Sequence, residues 1–326
     1  MPRLVRVLTV AIFITLFAVR PAPAVIVLGP GSDVTDPGRN LNAPPSNLGA
    51  YVGTFGSFLG TPIAPQYFVT AYHINDGSSP GTFLYANNTN TVTPYTVSFV
   101  ARDQDLAIWK VADTGPLFTY YAPLYLAGNE VNQSLVTIGR GTARGGAVPA
   151  SPAQPQGWAW GASDSKISWG TNRVDAIINS SQFPSPIPGF GGDFLYFTFD
   201  QTKPDHNNVG IYSGGDSGGP TFVRDPADGV YKLAGINSLV DQVNDGHGNN
   251  AFALFDAFGF FDGSNQITTH DPLASYATRI DDHLPFLSDF APIPEPTSLV
   301  LTFLGAAGLA CHGWRRRRTS RLVPPA

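Results

Sequence analysis

GDSGGP, at residues 215–220, is the most informative segment of this chain. Glycines on both sides of Ser217 let the backbone bend sharply and leave the serine hydroxyl open to a substrate. The backbone N–H groups of its neighbours are then free to point into one small space. Acyl transfer needs this combination, because the nucleophilic oxygen must lie beside donors that bind the developing oxyanion. The segment therefore predicts a reactive serine rather than a glycine-rich turn without chemistry.

Two further segments contain a histidine and an aspartate in strand-like surroundings. An apolar run that starts near residue 60 ends in His73, and Asp105 begins the run DLAIWKV. An imidazole can take the proton of a serine hydroxyl, and a carboxylate can orient that imidazole. Asp103 is a rival to Asp105, but Asp103 lies in the polar segment RDQ whereas Asp105 opens the apolar run. His73, Asp105 and Ser217 are therefore the predicted catalytic residues.

The three segments, in the order histidine, aspartate, serine, resemble the trypsin/chymotrypsin-like serine proteases over about residues 60–286. The resemblance implies that His73 is the general base and later the general acid. It also implies that Asp105 fixes the tautomer of the imidazole, and that the N–H groups of Gly215 and Ser217 form the oxyanion hole.

The same resemblance implies the fold class, which is all-β with two six-stranded β-barrels of the chymotrypsin type and a short C-terminal helix. Within a protease domain at 25–290, barrel one is expected at about 45–125, barrel two at about 130–275 and the helix at 276–287. The composition agrees, because 35 glycines and 29 prolines separate short β-branched and aromatic runs. Three finer predictions are a strand at 95–101, a hairpin over 221–236 and a surface loop over 141–161.

Positions matched to the family give predictions about specificity and activation. Ile211 lies where the family has the base of its primary pocket, and Ser238 and Val240 lie in the strand that lines this pocket. Trypsin-like enzymes need an aspartate at the base, so we expect an apolar specificity pocket that does not take lysine or arginine. Asp216 is expected to pair with the N-terminal amine that signal cleavage would free at Val25.

Two other classes of function stay open. One is a catalytically silent trypsin-like domain that acts as a surface or matrix binding protein, and the complete triad argues against it. The other is an esterase, which shares the chemistry but for which the chain has no nucleophile elbow. The expected substrate is a protein or peptide, with no cofactor and no metal ion. We expect the remaining histidines outside the tail to be solvated, namely His206, His247, His270 and His283.

Residues 1–24 have the pattern of a secretory signal peptide. Arg3 and Arg6 precede an apolar run at 8–19, and small residues at 22–24 offer a cleavage site. A core helix fits less well, because the run has no polar positions that would make it amphipathic. Signal peptidase would release a chain that begins at Val25, and the protein would be exported.

The C-terminal segment, 291–326, has the pattern of a second targeting signal. An apolar run at 299–310 is short for a membrane helix of roughly 20 residues, and the basic block after it would stay in the cytoplasm. With its Pro-Glu-Pro signal the segment resembles the PEP-CTERM sorting tail of Gram-negative bacteria. That resemblance implies transient anchoring in the inner membrane, removal by exosortase and delivery to the cell surface or extracellular matrix. A plain C-terminal anchor is the alternative. The sorting residues are Pro294, Glu295, Pro296, Arg315, Arg316, Arg317 and Arg318.

The net charge of −5 conceals an acidic central region. Eight of the 19 basic residues, but only one of the 24 acidic residues, lie in the two terminal segments, so 25–290 carries a charge of −12. This charge argues against a nucleic-acid partner. The single cysteine, Cys311, lies in the tail, and Ile74 stands where the family usually has a half-cystine. The domain is therefore expected to be stable without disulfides, through core burial alone.

Overall fold

The computed structural model describes residues 25–33, 38–75, 77–148, 157–163, 165–242, 252–254, 260–262, 265–268 and 272–292. The predicted signal peptide, and the predicted sorting tail beyond Pro292, lie outside these residues. Within the described ranges, no helix is long and apolar enough to cross a membrane.

The first half of the chain forms a closed six-stranded barrel, as predicted. A short strand β1 (Ile26–Val27) precedes the barrel, whose strands are β2 (Gly53–Phe55), β3 (Phe58–Ala64), β4 (Tyr67–Ala71), β5 (Gly81–Tyr85), β6 (Thr93–Asp103) and β7 (Leu106–Val111). In β6 the buried Tyr95 and Val97 alternate with exposed neighbours, which is the period of a strand with one face in a core. The barrel closes where β2 pairs with β5, through Thr54 and Leu84, and the strand order is β2-β3-β4-β7-β6-β5.

The second half contains thirteen described strands. They are β8 (Ser134–Gly139), β9 (Arg144–Val148), β10 (Gly157–Trp160), β11 (Ser168–Arg173), β12 (Ala176–Asn179), β13 (Asp193–Thr198), β14 (Gly210–Ile211), β15 (Pro220–Arg224), β16 (Tyr231–Val240), β17 (Phe252–Leu254), β18 (Phe260–Asp262), β19 (Asn265–Thr268) and β20 (Ala274–Arg279). Seven of them form one sheet in the order β11-β8-β15-β16-β20-β13-β12, and β17-β10-β9 form a smaller sheet. Strands β1 and β14 pair with each other, as do β18 and β19.

The second six-stranded barrel, predicted over about 130–275, is not seen, because the seven-stranded sheet is open among the described residues. Its edge strands β11 and β12 follow each other in sequence, yet they do not pair. The corner between them explains this. Val174 donates its N–H to the carbonyl of Gln133, while Asp175 donates its N–H to the carbonyl of Tyr196. The corner thus bonds to neighbours on two sides instead of closing a hairpin.

Two local predictions are wrong and two are confirmed. The expected loop at 141–161 contains β9 and β10, and the expected helix at 276–287 begins as strand β20. Its helical part is a 3-10 turn (Asp281–His283) followed by α1 (Leu284–Leu287). Pro285 lies in the first turn of α1, where a missing N–H costs nothing, so it starts the helix rather than bending it. The strand at 95–101 and the hairpin over 221–236 are present as β6 and as β15 with β16. The other 3-10 segments are Pro45–Tyr51, Tyr72–Ile74, Ser180–Gln182 and His206–Asn208.

One apolar cluster is shared by the barrel and the sheet. The barrel contributes residues of β3, β4 and β7, the sheet contributes residues of β8, β15 and β16, and helix α1 contributes Leu287. These side chains exclude water from the junction and fix the two halves against each other. Its members include Leu59, Ile63, Leu106, Ile108, Ile138, Trp169, Phe222, Leu233, Ile236 and Leu287.

Candidate active site

His73 lies in the 3-10 turn that follows β4. Strand β4 pairs with β7 up to Ala71 and Leu106, so the end of β4 lies beside the start of β7. The backbone N–H of Tyr72 donates to the carbonyl of Asp105 at 2.6 Å. The N–H of His73 donates to Asp105 Oδ1 at 3.0 Å. The pairing of two barrel strands therefore brings the predicted histidine and aspartate together.

The imidazole of His73 lies between Asp105 and Ser217. Its Nδ1 is 2.9 Å from both carboxylate oxygens of Asp105, and its Nε2 is 2.8 Å from Ser217 Oγ. An ionised carboxylate only accepts, so Nδ1 carries the proton and Nε2 is left to accept the serine proton. The structure thus joins all three predicted catalytic residues in one unbroken chain of hydrogen bonds.

The hydroxyl of Ser238 lies at Asp105. It donates a short hydrogen bond to Asp105 Oδ2, and Thr278 Oγ1 donates to Ser238 Oγ at 3.1 Å. Both side chains are buried. Ser238 therefore supports the buried carboxylate of Asp105, and its place in the specificity pocket stays a prediction.

The rival aspartate, Asp103, bonds to another histidine. Its Oδ2 lies 2.9 Å from Nδ1 of His283, which is buried, so the prediction that His283 is solvated is wrong. The Nε2 of His283 has no partner within the described part of the chain. The strand periodicity had separated Asp105 from Asp103, and the geometry agrees with that choice.

Ser217 lies in a turn that only glycine permits. Gly215 and Gly218 have φ angles of 100° and 79°, which favour glycine. The N–H of Gly218 donates to the carbonyl of Asn237 at 2.9 Å and ties the turn to β16. Among the described residues, the N–H groups of Gly215 and Ser217 donate to no protein acceptor. These two donors are available for an oxyanion.

Asp216 is buried behind the turn. Its Oδ1 accepts the N–H of Gly141 at 2.6 Å, while Oδ2 accepts the N–H and the hydroxyl of Ser213 at 2.7 and 3.1 Å. Burial raises the pKa of the Asp216 carboxyl to about 7, against the lowering effect of the bonds from Ser213 and Gly141. The expected partner, Val25, is elsewhere, because its carbonyl accepts from Ser168 and its side chain lies against Gly170 and Gly210. The carboxylate of Asp216 is therefore bound by Gly141 and Ser213, where an N-terminal amine had been expected to bind it.

Two of the predicted pocket residues come together in an apolar cluster. Ile211 is fully buried and pairs with Ile26 of β1, and Val240 packs against the same cluster. Trp160 of β10 also packs there and lies against Gly214, next to the oxyanion donors. The surroundings of Ile211 are thus apolar, and its role as the base of a specificity pocket stays a prediction.

Some residues of this site had no signal in the sequence. Trp160 was assigned to a loop, and Phe190, whose ring contacts His73, lies in an unremarkable segment rich in glycine and proline. Ser213 could have been found, because a serine three residues before a buried aspartate is a common local partner.

The arrangement can activate a serine and stabilise an anion beside it, and no described group of three or more His, Cys, Asp and Glu side chains could hold a metal ion.

No protein-family model and no curated protein matches the chain. Among solved structures, the Rv3671c protease in its inactive form is similar, with a TM-score of 0.42 and 15% identity over 77% of this chain and 95% of that chain. A serine-to-alanine mutant of Rv3671c from M. tuberculosis H37Rv, also inactive, gives a TM-score of 0.40 and 15% identity over 78% and 94%. The assignment of the site residues rests on the geometry of this chain.

Proposed function

We propose that this chain is a serine endopeptidase that uses His73, Asp105 and Ser217 to cleave peptide bonds. The observation that carries the proposal is the unbroken series of hydrogen bonds from Asp105 through His73 to Ser217, at 2.9 and 2.8 Å. A histidine with a purely structural role would have no reason to form a hydrogen bond through Nε2 to an accessible serine in a glycine-rich turn.

The reaction follows from the positions of the protons. Ser217 Oγ attacks the carbonyl carbon of the substrate while its proton moves to Nε2 of His73. Asp105 stabilises the resulting imidazolium, and the N–H groups of Gly215 and Ser217 bind the oxyanion. His73 then gives the proton to the leaving amine, and the C–N bond breaks to leave an acyl-enzyme. Water, deprotonated by His73, releases the acid and restores Ser217.

The substrate is proposed to be a protein or peptide with an apolar residue in the primary pocket. This preference is supported by the apolar cluster around Ile211 and Val240, which offers no carboxylate to lysine or arginine. Burying an unpaired ammonium against such a surface would cost several kcal/mol.

Export and sorting are proposed from the sequence alone. Signal peptidase would release residues 25–326, exosortase would remove the tail after recognising Pro294, Glu295 and Pro296, and the enzyme would act at the cell surface or in the matrix of a Gram-negative bacterium. The transient anchor in the inner membrane belongs to this proposal.

The test is cleavage of a peptide library that varies the residue before the scissile bond, followed by mass spectrometry of the products. We expect cleavage after apolar residues by the parent and none by Ser217→Ala or His73→Ala. His206→Ala is the matched control, because this exposed histidine bonds only to the carbonyl of Gln201, and it should cleave like the parent. Binding of peptides without cleavage by the parent would favour the silent binding protein instead.

A further inference from the structure

A loop of the second half of the chain ends against the ring of His73. The ring centroids of Phe190 and His73 are 5.3 Å apart and the rings are tilted by 39°. Asp105 and Ser217 hold the two nitrogens of the imidazole, so Phe190 supplies a third contact, on the ring itself. This contact crosses from the sheet to the barrel.

The loop at 180–192 is closed at its base. The N–H of Ser180 donates to the carbonyl of Gly192 at 2.9 Å, so the two ends of the loop meet. Asn179 and Gln182 form a capping box at its start. The φ angle of Gly189 is 85°, which turns the chain just before Phe190. The loop therefore has a defined conformation rather than being an open connection.

Aromatic packing anchors the loop to the sheet. Phe190, Ile187 and Phe194 form a buried cluster, against which Leu239 of β16 packs. Phe183 contacts Phe194 at 5.5 Å and Tyr276 at 5.4 Å between ring centroids. Such aromatic contacts favour one arrangement of the rings. The apolar cluster therefore packs against Phe190 on the sheet side, while the ring of Phe190 contacts His73.

The same loop contacts the turn that precedes Asp105. A Cβ atom added at Gly191 would lie 2.6 Å from the side-chain amide of Gln104, so this side chain lies against the backbone of the loop. The loop thus touches both the histidine and the turn that carries its aspartate.

From this geometry we infer that Phe190 is a positioning residue for His73. Rotation about the Cα–Cβ and Cβ–Cγ bonds of His73 would break the hydrogen bonds at Nδ1 and Nε2. The side chain of His73 is 30% exposed, so solvent rather than protein covers part of it. The ring of Phe190, with its centroid 5.3 Å from that of the imidazole, restricts this rotation and keeps Nε2 aimed at Ser217 Oγ. The inference rests on the proposed function and names a further residue that this function needs.

The experiment measures the second-order rate at which a small fluorophosphonate labels Ser217 in the full chain. Phe190→Ala should label about tenfold more slowly than the parent, which is below the roughly hundredfold loss from a 1 Å misplacement. Phe190→Leu, which keeps apolar bulk on the imidazole, should recover most of the rate. The probe covers little of a substrate-binding surface, so a residue that only binds substrate would leave this rate unchanged.

Ile187→Ala is the matched control. Ile187 and Phe190 belong to one cluster and are equally buried, at 8% exposure each, and Phe190 is the one with an aromatic ring against His73. Both alanine variants should lower the unfolding temperature, because both leave a cavity. Phe190→Ala should slow labelling far more than Ile187→Ala, because Phe194 and Leu239 still pack against Phe190 in Ile187→Ala. Equal labelling rates for the two variants would overturn the inference.

A second measurement does not depend on activity. The proton on His73 Nδ1, which is bonded to Asp105, should give a low-field resonance in the parent and in Ile187→Ala. We expect Phe190→Ala to broaden this resonance, and a sharp, unshifted resonance in Phe190→Ala would contradict the inference. If Phe190→Ala broadens the resonance but the parent is never labelled, the failure lies with the proposed function and not with the contact between Phe190 and His73.

Discussion

Several hydrogen bonds hold the side chain of Asp105 in place. It accepts hydrogen bonds from the backbone and the ring of His73, and a third from the hydroxyl of Ser238. A buried carboxylate is stable as an anion only when such donors replace its water. The support from Ser238 comes in turn from Thr278. The orientation of His73 therefore depends on residues of both halves of the chain.

Replacing Ser238 with alanine tests this dependence. Loss of a hydrogen bond to a buried charge costs about 1.5–3 kcal/mol, so kcat should fall about ten- to hundredfold. KM should change little, because the hydroxyl faces Asp105 and not a substrate. Peptide-hydrolysis kinetics give both constants, and Val240→Ala, at the predicted pocket, should instead change KM. A rise in KM for Ser238→Ala without a fall in kcat would support its predicted role in the pocket.

The carboxyl of Asp216 gives a prediction about pH. Burial raises its pKa from 3.8 to about 7, so the folded chain holds this proton more tightly than the unfolded chain does. The contribution of Asp216 to stability is therefore largest below about pH 4 and declines by a few kcal/mol as the pH rises to about 7. Urea unfolding of the parent and of Asp216→Asn should show this decline only in the parent. Parallel pH profiles of the two proteins would contradict the raised pKa.

At the scale of elements, strand pairing and one tight turn assemble the site. Strands β4 and β7 bring His73 to Asp105, while the turn that carries Ser217 is bonded to β16 through Asn237. This turn also packs against the barrel, because a Cβ added at Gly218 would lie 2.3 Å from Thr70 Oγ1 and 2.7 Å from the carbonyl of Leu59. Ser217 is thus set against the barrel by close backbone approach.

Gly218→Ala tests that approach. The methyl group would meet backbone that cannot move freely, and the φ of 79° adds strain for a residue with a Cβ. We expect a loss of about 3 kcal/mol in the free energy of unfolding and little remaining activity. Gly146→Ala is the control, since a Cβ there meets nothing within 4 Å, and its stability should stay within about 0.5 kcal/mol of the parent. Equal stability of the two variants would show that the turn has room to move.

The sequence predicts those elements that are determined by residues close to each other in the chain. GDSGGP specifies its own turn, and the apolar run after Asp105 separates this residue from Asp103. Whether a sheet closes into a barrel depends on residues far apart in the chain. The corner at Val174 and Asp175, for example, is set by backbone hydrogen bonds to Gln133 and Tyr196. The contact of Phe190 with His73 likewise joins distant segments, so no periodicity reveals it. Segment 141–161 looks like a loop because it is rich in glycine, yet glycine also permits the close pairing of β9 and β10.

At the scale of the whole molecule, the two halves of the described chain share one core. Apolar residues of the barrel, of the sheet and of helix α1 meet in a single cluster. The pair of Asp103 and His283 adds a polar contact between the barrel and the segment before α1. Such a shared core makes separate unfolding of either half unfavourable, so the geometry between His73 and Ser217 is kept until the whole domain unfolds.

Leu287→Ala tests this cooperativity. Leu287 is fully buried in the shared cluster, so the variant should lose about 2–5 kcal/mol. Urea unfolding followed by tryptophan fluorescence and by far-UV circular dichroism should still give one coincident transition, at lower urea. Leu117→Ala, at an exposed position, is the control and should unfold like the parent. Two separated transitions in Leu287→Ala would mean that the halves unfold independently.

The central claim is that His73 activates Ser217 for acyl transfer, and adduct mapping tests it most directly. The full chain is treated with a fluorophosphonate, digested and analysed by mass spectrometry for the modified residue. The proposed mechanism predicts one adduct, on Ser217, in the parent and in His206→Ala, and none in Ser217→Ala or His73→Ala. An unmodified Ser217 in the folded parent, or equal modification in His73→Ala, would contradict the claim.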